Sequence, residues 1–356
     1  MRTLINGAAG RIGRLVTHNY FTSQGFEPGS ELVAINDPAG LEKTVQSLTS
    51  NDPVHGRFNW MVGPSDTGKI GIEDEIVDFY DKKDLTELHL KDLGIECVID
   101  CSGRYGDPKT KDGTLRLEDN VARQLLNHGV KKVILTYPSK TADTMMIMGV
   151  NHQGYNPESH NVISNASCTT KALAMPLRVL LDNGIEIHGL SMNSPHAATS
   201  SQHVFECLGE MRTHPTGAAQ ALAYVIPELK GKMNGMAYRG PILDGSFAHM
   251  CAVVSSVNTL TTDKINNIIH RGSGQDKYSG RLGIIDQETV STNDIVGRRE
   301  NSLFIPSQTK LLSLDDLAPE GKNTYILTMV AGYDNELGSS VDPVLLAEYV
   351  SDKARD

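Results

Sequence analysis

Thr3-Leu4-Ile5-Asn6-Gly7-Ala8-Ala9-Gly10-Arg11-Ile12-Gly13 is the stretch that decides the fold. Four residues of strand character run into a turn with three glycines. Ile12, Leu15 and Val16 then line one side of a predicted helix over Gly10–Tyr20. Strand, glycine turn and helix together open a βαβ unit. Glycine lets the backbone turn tightly and approach a pyrophosphate, and the helix start adds N–H donors and a positive dipole end. The spacing is GxxGxxG rather than GxGxxG, so by itself it fits a plain tight turn as well. Working outward, Glu31–Asn36 reads as the next strand and Asp37 closes it, 24 residues beyond Gly13. An acid at that point accepts hydrogen bonds from adenosine ribose hydroxyls and repels a 2′-phosphate, which favours NAD over NADP. The competing reading of Asp37 is a turn residue before Pro38.

The alternation continues. Cys97–Cys101 reads as a buried strand and Val133–Thr136 as another, with a helix predicted over Leu117–Asn127. This order implies a doubly wound, Rossmann-type parallel sheet. After about residue 185 the texture changes. Ile185–Met192, Met233–Tyr238, Ala248–Val257 and Thr324–Val330 read as longer strands of a mixed or antiparallel sheet, which makes this part α+β. Arg271–Gly280 reads as a surface loop and Ser340–Ala354 as a helix. No internal repeat interrupts the pattern.

The chain has 356 residues and a formal net charge of −10. With no long Lys/Arg run, nucleic acid and anionic membrane are not the expected partners. No apolar stretch is long enough to span a bilayer, and the start of the chain already reads as strand. Five scattered cysteines, with no CxxC pair, argue against a disulfide framework or a zinc site. The expectation is a cytoplasmic protein with reduced thiols and no metal.

One of those thiols stands apart. In Ser164-Asn165-Ala166-Ser167-Cys168-Thr169-Thr170 the cysteine precedes a helical pattern of Leu173, Leu177, Leu180 and Leu181. A helix start lowers a thiol pKa and favours the reactive thiolate. From spacing alone, a buried structural thiol is an equal alternative.

SNASCTT resembles the active-site segment of glyceraldehyde-3-phosphate dehydrogenases. Asn6–Arg14 is similar to that family's NGFGRIGR turn, and Ile35-Asn36-Asp37-Pro38 to its NDP strand end. Further matches follow in order along nearly the whole chain: His55-Gly56-Arg57-Phe58, Met148–His152, Thr216–Ala219, Val225–Leu229, Gly235–Arg239 and Tyr333–Glu336. The resemblance implies that Cys168 attacks an aldehyde to give a thiohemiacetal and then a thioester, with His196 as its acid–base partner. It assigns NAD to Gly7, Gly10, Arg11, Ile12, Gly13, Asp37, Ser102, Gly103 and Thr136, and the nicotinamide carboxamide to Asn335. Ser167, Thr169, Thr216 and Gly217 match the site for attacking inorganic phosphate. Thr199, Ser201 and Arg239 match the site for the phosphate of a small phosphorylated aldehyde. The implied partner in assembly is a second copy of the chain, as a tetramer or dimer.

Four departures from the family pattern stand out. The glycine turn carries an extra residue at Ala8-Ala9. Lys171 and Ala172 follow SNASCTT where the family usually has Asn-Cys. Lys171 reads first as a solvated surface lysine, and second as a charge supporting the thiolate. The segment after the histidine is short, with only His203–Pro215 between Gln202 and Thr216; Arg212 is a candidate replacement for an arginine lost with it. Glu336-Leu337-Gly338-Ser339-Ser340 stands where EWGYS is usual.

The expected layout is an NAD-binding domain over 1–167 and 335–356 and a catalytic domain over 168–334. The expected function is phosphorylating oxidation of glyceraldehyde 3-phosphate. The alternatives are an erythrose 4-phosphate enzyme that uses water, and a non-catalytic homologue that binds NAD or a protein partner.

Overall fold

The computed structural model describes residues 1–22, 29–65, 68–108, 114–198, 209–314 and 321–355. Two compact units emerge. The first joins Met1–Met148, His152–Ala166 and Ser340–Asp356; the second joins Gly149–Asn151 and Ser167–Ser339.

The first unit contains β1 (Arg2–Asn6), α1 (Arg11–Thr22), β2 (Glu31–Asn36), α2 (Leu41–Thr49), β3 (Val62–Pro64), β4 (Ile70–Ile72), β5 (Glu75–Tyr80), β6 (Cys97–Asp100), α3 (Arg123–Asn127), β7 (Lys132–Leu135), β8 (Thr144–Met145) and β9 (Val162–Ser164). Among the described residues the sheet order is β3-β4-β5-β2-β1-β6-β7-β9-β8. From β5 to β8 every pairing is parallel; β3 and β4 add an antiparallel edge. Central strands such as Cys97–Asp100 and Lys132–Leu135 are buried at every residue, as expected where both faces are covered. Period-two alternation then divides them between two cores. Ile5, Ile99, Ile134 and Ile163 pack into one, while Leu4, Val98, Val133 and Val162 pack into the other.

The helix predicted over Leu117–Asn127 does not form as one piece. A 3-10 turn at Leu117–Asp119 is followed by the short α3. Asn120 separates them. Its Oδ1 accepts the Ala122 N–H at 2.9 Å, while its amide donates to Ser139 and Thr141, so its side chain competes with a continuous helix.

The second unit contains α4 (Cys168–Asp182), β10 (Glu186–His196), β11 (Arg212–Pro215), α5 (Ala218–Val225), β12 (Met233–Arg239), β13 (Ser246–Ser256), α6 (Thr262–Ser273), β14 (Leu282–Ile284), β15 (Ser302–Phe304), β16 (Lys310–Ser313) and β17 (Asn323–Tyr333). Its sheet runs β11-β12-β10-β13-β17-β15-β14, with β16 also on β17. The β10–β12 and β14–β15 pairings are parallel and the rest antiparallel, so the sheet is mixed. The last helix, α7 (Leu337–Lys353), begins in this unit and continues into the first.

α4 is buried along nearly its whole length and contains Pro176. Proline has no N–H to give the carbonyl four residues back, and Ser302 Oγ donates to that carbonyl, Ala172 O, at 2.8 Å. The start of the expected Arg271–Gly280 loop is helical, because α6 runs to Ser273. Gly272 is there for packing: a Cβ would lie 2.7 Å from a Val179 methyl. Among the described residues, no helix is long and apolar enough to cross a membrane.

Candidate active site

In the first unit, the ends of the parallel strands gather polar groups. β1 and β6 lie side by side, and the chain leaves β1 toward β2 on one side and returns to β6 on the other. Such a switch point is where open α/β sheets bind ligands. Gly7 has φ +79°, and a Cβ on it would sit 3.0 Å from Ser102 N. A Cβ on Gly13 would lie 1.9 Å from Gly7 O, so helix and turn touch only because residue 13 is glycine. Gly10 N–H donates to Gly7 O at 3.1 Å, and Arg11 and Ile12 open α1, both partly buried. Asp37 is buried at the end of β2 and accepts the N–H groups of Ala9 (2.8 Å) and Ala39 (2.9 Å). The extra residue of the turn is therefore tied down by Asp37. Each carboxylate oxygen keeps a second acceptor position.

Beside it, Asp100 accepts from Asn6 Nδ2 (2.7 Å), Ser102 Oγ (2.6 Å) and Tyr137 OH. Thr136 Oγ1 donates to Asp100 O at 3.1 Å, and Gly103 adopts φ +73°. Closely packed glycines, a helix N-terminus and an acid at the second strand end suit a dinucleotide with an unphosphorylated ribose.

In the second unit, Cys168 is the first residue of α4. Ser167 caps the helix by accepting the Thr170 N–H at 3.1 Å, a contact worth about 1 kcal/mol. The preceding Ala166 takes φ +58°, a conformation rare for a residue with a Cβ. His196 ends β10 and Arg239 ends β12, and the two are register partners in the parallel pairing. Cys168 Sγ lies 3.8 Å from His196 Nε2.

The other face of the imidazole has two competing partners. Nδ1 lies 2.7 Å from Ala197 O and in contact with Arg239 Nη1, which itself donates to Ala197 O at 3.1 Å. A guanidinium can only donate. While Arg239 holds Nδ1, the ring proton is on Nε2, toward the sulfur; when Nδ1–H donates to Ala197 O, Nε2 presents a lone pair instead. Burial, reinforced by the Arg239 charge, pushes the His196 pKa down to about 4, against the pull of Ala197 O.

Burial also pushes the Cys168 thiol up. The Thr169 hydroxyl, Lys171 and Arg239 oppose this without overcoming it. The thiolate expected from the helix start thus meets a desolvation cost, moderated because Cys168 keeps some exposed surface.

The surrounding hydroxyls form a chain. Buried Tyr333 OH bonds Thr169 Oγ1 at 2.8 Å and Ser194 Oγ at 2.9 Å, and its ring meets His196 edge-on at 5.9 Å. Ser246 Oγ accepts the Ala197 N–H at 3.0 Å and donates to Asn335 Oδ1 at 2.8 Å. That orients the Asn335 amide so its NH2 is the group left to donate elsewhere. Tyr333, Ser194 and Ser246 received no role in the sequence reading. Had the strand been read through to His196, its period of two would have put Ser194 on the same face.

Thr216 and Gly217 precede α5, and Thr216 Oγ1 accepts the Ala218 N–H at 3.2 Å. Thr199 and Ser201 lie outside the described residues. Arg212 pairs with Arg239 in the β11–β12 register, is exposed, and binds Glu210 at 2.7 Å. Lys171 is not a surface lysine. It is 0 % exposed, and its ammonium donates to Ser339 O at 2.9 Å and Ser339 Oγ at 3.3 Å. Its polar partner is contributed from far along the chain, out of reach of any local pattern.

A glycine turn at a sheet's switch point in one unit, and a cysteine–histidine pair in the other, suit an NAD-dependent dehydrogenase. The glyceraldehyde 3-phosphate dehydrogenase NAD binding domain matches residues 1–108, and the C-terminal domain of the same enzymes matches residues 167–335. The chain is 34 % identical to a glyceraldehyde-3-phosphate dehydrogenase of Chlamydia pneumoniae, over 100 % of both chains. It is 32 % identical to one of Geobacillus stearothermophilus over 98 % of each, and 31 % identical to glyceraldehyde-3-phosphate dehydrogenase 3 of Saccharomyces cerevisiae over 99 % of each. The chain belongs to the glyceraldehyde 3-phosphate dehydrogenase family, and its cofactor is NAD.

Proposed function

We propose that this dehydrogenase oxidises a small phosphorylated aldehyde, glyceraldehyde 3-phosphate before others, and that Cys168 carries the acyl group between two half-reactions. The observation supporting this most directly is the 3.8 Å approach of Cys168 Sγ to His196 Nε2 at the start of a buried helix. Sulfur attacks the aldehyde carbon, and His196 relays the thiol proton to the carbonyl oxygen, leaving a thiohemiacetal. His196 Nε2 then takes the hydroxyl proton back as the hydride departs, and a thioester remains. NAD, when bound, supplies the hydride acceptor. Gly7, Gly10, Arg11, Ile12, Gly13, Asp37, Ser102, Gly103 and Thr136 would hold it, with Asn335 on the carboxamide. Inorganic phosphate attacks the thioester carbon, the C–S bond breaks, and the thiolate recovers its proton from His196. Ser167, Thr169, Thr216 and Gly217 stand at the starts of two helices, which suits an incoming anion. Arg239, with Thr199 and Ser201, receives the phosphate of the substrate.

The same reading places the protein in the cytoplasm, which suits the free thiols of Cys97, Cys101, Cys168 and Cys251. It also makes the protein a homo-oligomer. One face of the second sheet carries Met236 in register with Asn193 and His249, and Val253 in register with Ile326 and Leu312, and Met236, Val253 and Leu312 are exposed.

NADH formation tests the function. Glyceraldehyde 3-phosphate should give NADH only with inorganic phosphate, and Cys168→Ser should abolish it. Phosphate-independent turnover of erythrose 4-phosphate would favour that substrate instead. Measurable NAD binding with no NADH from either aldehyde would sink the enzymatic reading.

A further inference from the structure

We propose that Lys171 is a positioning residue for the nucleophile, its ammonium fixed by Ser339 as a positive charge one helical turn from Cys168. The inference rests on Cys168 being the reactive thiol. Three observations carry it. Lys171 and Cys168 are three residues apart in the first turn of α4, so their side chains lie on neighbouring positions of one helix face. The lysine is wholly buried, which a flexible, strongly hydrated side chain does not choose without a return. Both ends of the contact depart from the family pattern: Lys171 stands for an asparagine, and Ser339 replaces the tyrosine of EWGYS. A smaller residue at 339 leaves room for the longer one at 171, and the Ser339 carbonyl and hydroxyl accept from the ammonium at 2.9 and 3.3 Å.

The charges around the sulfur are unevenly placed. His196 faces it from β10, Arg239 acts from β12 and Tyr333 from β17, while Lys171 is on its own helix. With the imidazole neutral above about pH 4, His196 adds no cation at neutral pH. Lys171 and Arg239 are then the cations that offset the burial of Cys168. When Arg239 turns to a substrate phosphate its charge is partly neutralised, whereas Lys171 stays fixed by Ser339. The chain leading to Ser339 carries two buried acids, Asp334 and Glu336. Asp334 is engaged by the N–H groups of Gly297, Glu336 and Leu337. Neutral replacements of Lys171 leave both acids in place, so the comparison with Lys171→Arg is what isolates the charge.

The experiment is the rate of Cys168 alkylation by iodoacetamide from pH 5 to pH 10, on the full chain without NAD. It compares the unsubstituted protein, Lys171→Met, Lys171→Gln and Lys171→Arg. Gln keeps a hydrogen-bond donor for Ser339 and serves if the Met variant does not fold. The neutral variants should move the alkylation midpoint up by about one pH unit and slow labelling near neutrality about tenfold. Lys171→Arg should restore both. A folded Lys171→Gln protein with an unmoved midpoint overturns the proposal, because a merely structural lysine changes stability and not the thiol titration. Labelling that survives Cys168→Ser shows instead that the reactive thiol is another cysteine, so the functional reading fails first.

Discussion

Replacing His196 by Gln should make the protein less sensitive to acid. The imidazole is 4 % exposed, and its folded-state pKa is held at about 4 by burial first and the Arg239 charge second, against a reference of 6.5. In the unfolded chain the ring therefore binds a proton more readily. As pH falls from 7, protonation draws population toward the unfolded state, and the loss grows until the pH passes below the folded-state pKa. From 6.5 down to about 4, at about 1.4 kcal/mol per pH unit, the full effect is roughly 3 kcal/mol, most of it developed by pH 4.5. Little discount for solvent screening applies to a ring this buried. The assay is urea unfolding of the unsubstituted and His196→Gln proteins at pH 7, 6, 5 and 4.5. The stability difference between them should shift by that amount in favour of the variant as pH falls. Arg239→Gln should shrink the effect by removing the second cause. A difference that stays constant from pH 7 to 4.5, or that shifts the opposite way, would refute a neutral, desolvated imidazole beside Cys168.

Tyr333→Phe should cost about 2 kcal/mol, read as a lower melting temperature, because two buried hydroxyls, on Thr169 and Ser194, lose a partner; its kcat should fall as well, through the freed Thr169 beside the nucleophile. Gly13→Ala should destabilise by about 1–3 kcal/mol and weaken NAD binding at least about tenfold, measured by calorimetry, since its methyl group would occupy the position of Gly7 O. Glu348→Gln should stabilise the protein by about 2 kcal/mol at pH 8 and leave it unchanged at pH 4, compared by thermal melting. Burial, aided by Asp352, raises the Glu348 carboxyl to about 7, so ionisation costs stability above that pH and not below 4.5.

The fold was legible where local pattern and tertiary structure agree. The strand at Thr3–Asn6, the glycine turn and the next strand at Glu31–Asn36 are continuous apolar runs with punctuation, and the structure keeps them. Elements whose limits depend on distant partners were less visible. β10 runs four residues beyond the predicted Met192, because the ladder to β12 holds its far end, and that extension carries His196. The helix predicted over Leu117–Asn127 breaks at Asn120 because Ser139 and Thr141 compete for its side chain.

The same contrast divides the site. The helix start at Cys168 was visible in the leucine pattern that follows it, and the structure keeps it. Motif matching named His196 and Arg239 separately; their pairing spans two parallel strands and showed in neither motif nor spacing. Lys171 was misread as a surface residue because what holds it, Ser339, sits 168 residues away.

The path of the chain bears on how the protein is made. Val344, Leu346 and Val350 of the last helix share a core with Ile5, Val16 and Ile35 from the start of the sequence. A ribosome releases that helix only after the whole second unit. The sheet that emerges first is therefore the one completed last, with part of one apolar face uncovered while the whole second unit is synthesised. The second unit, drawn almost entirely from one uninterrupted segment, has all its own residues available before that. Completion of the N-terminal sheet thus waits on synthesis of the second unit, and the time its apolar face stays uncovered is set by the length of the segment coded between its strands and its last helix.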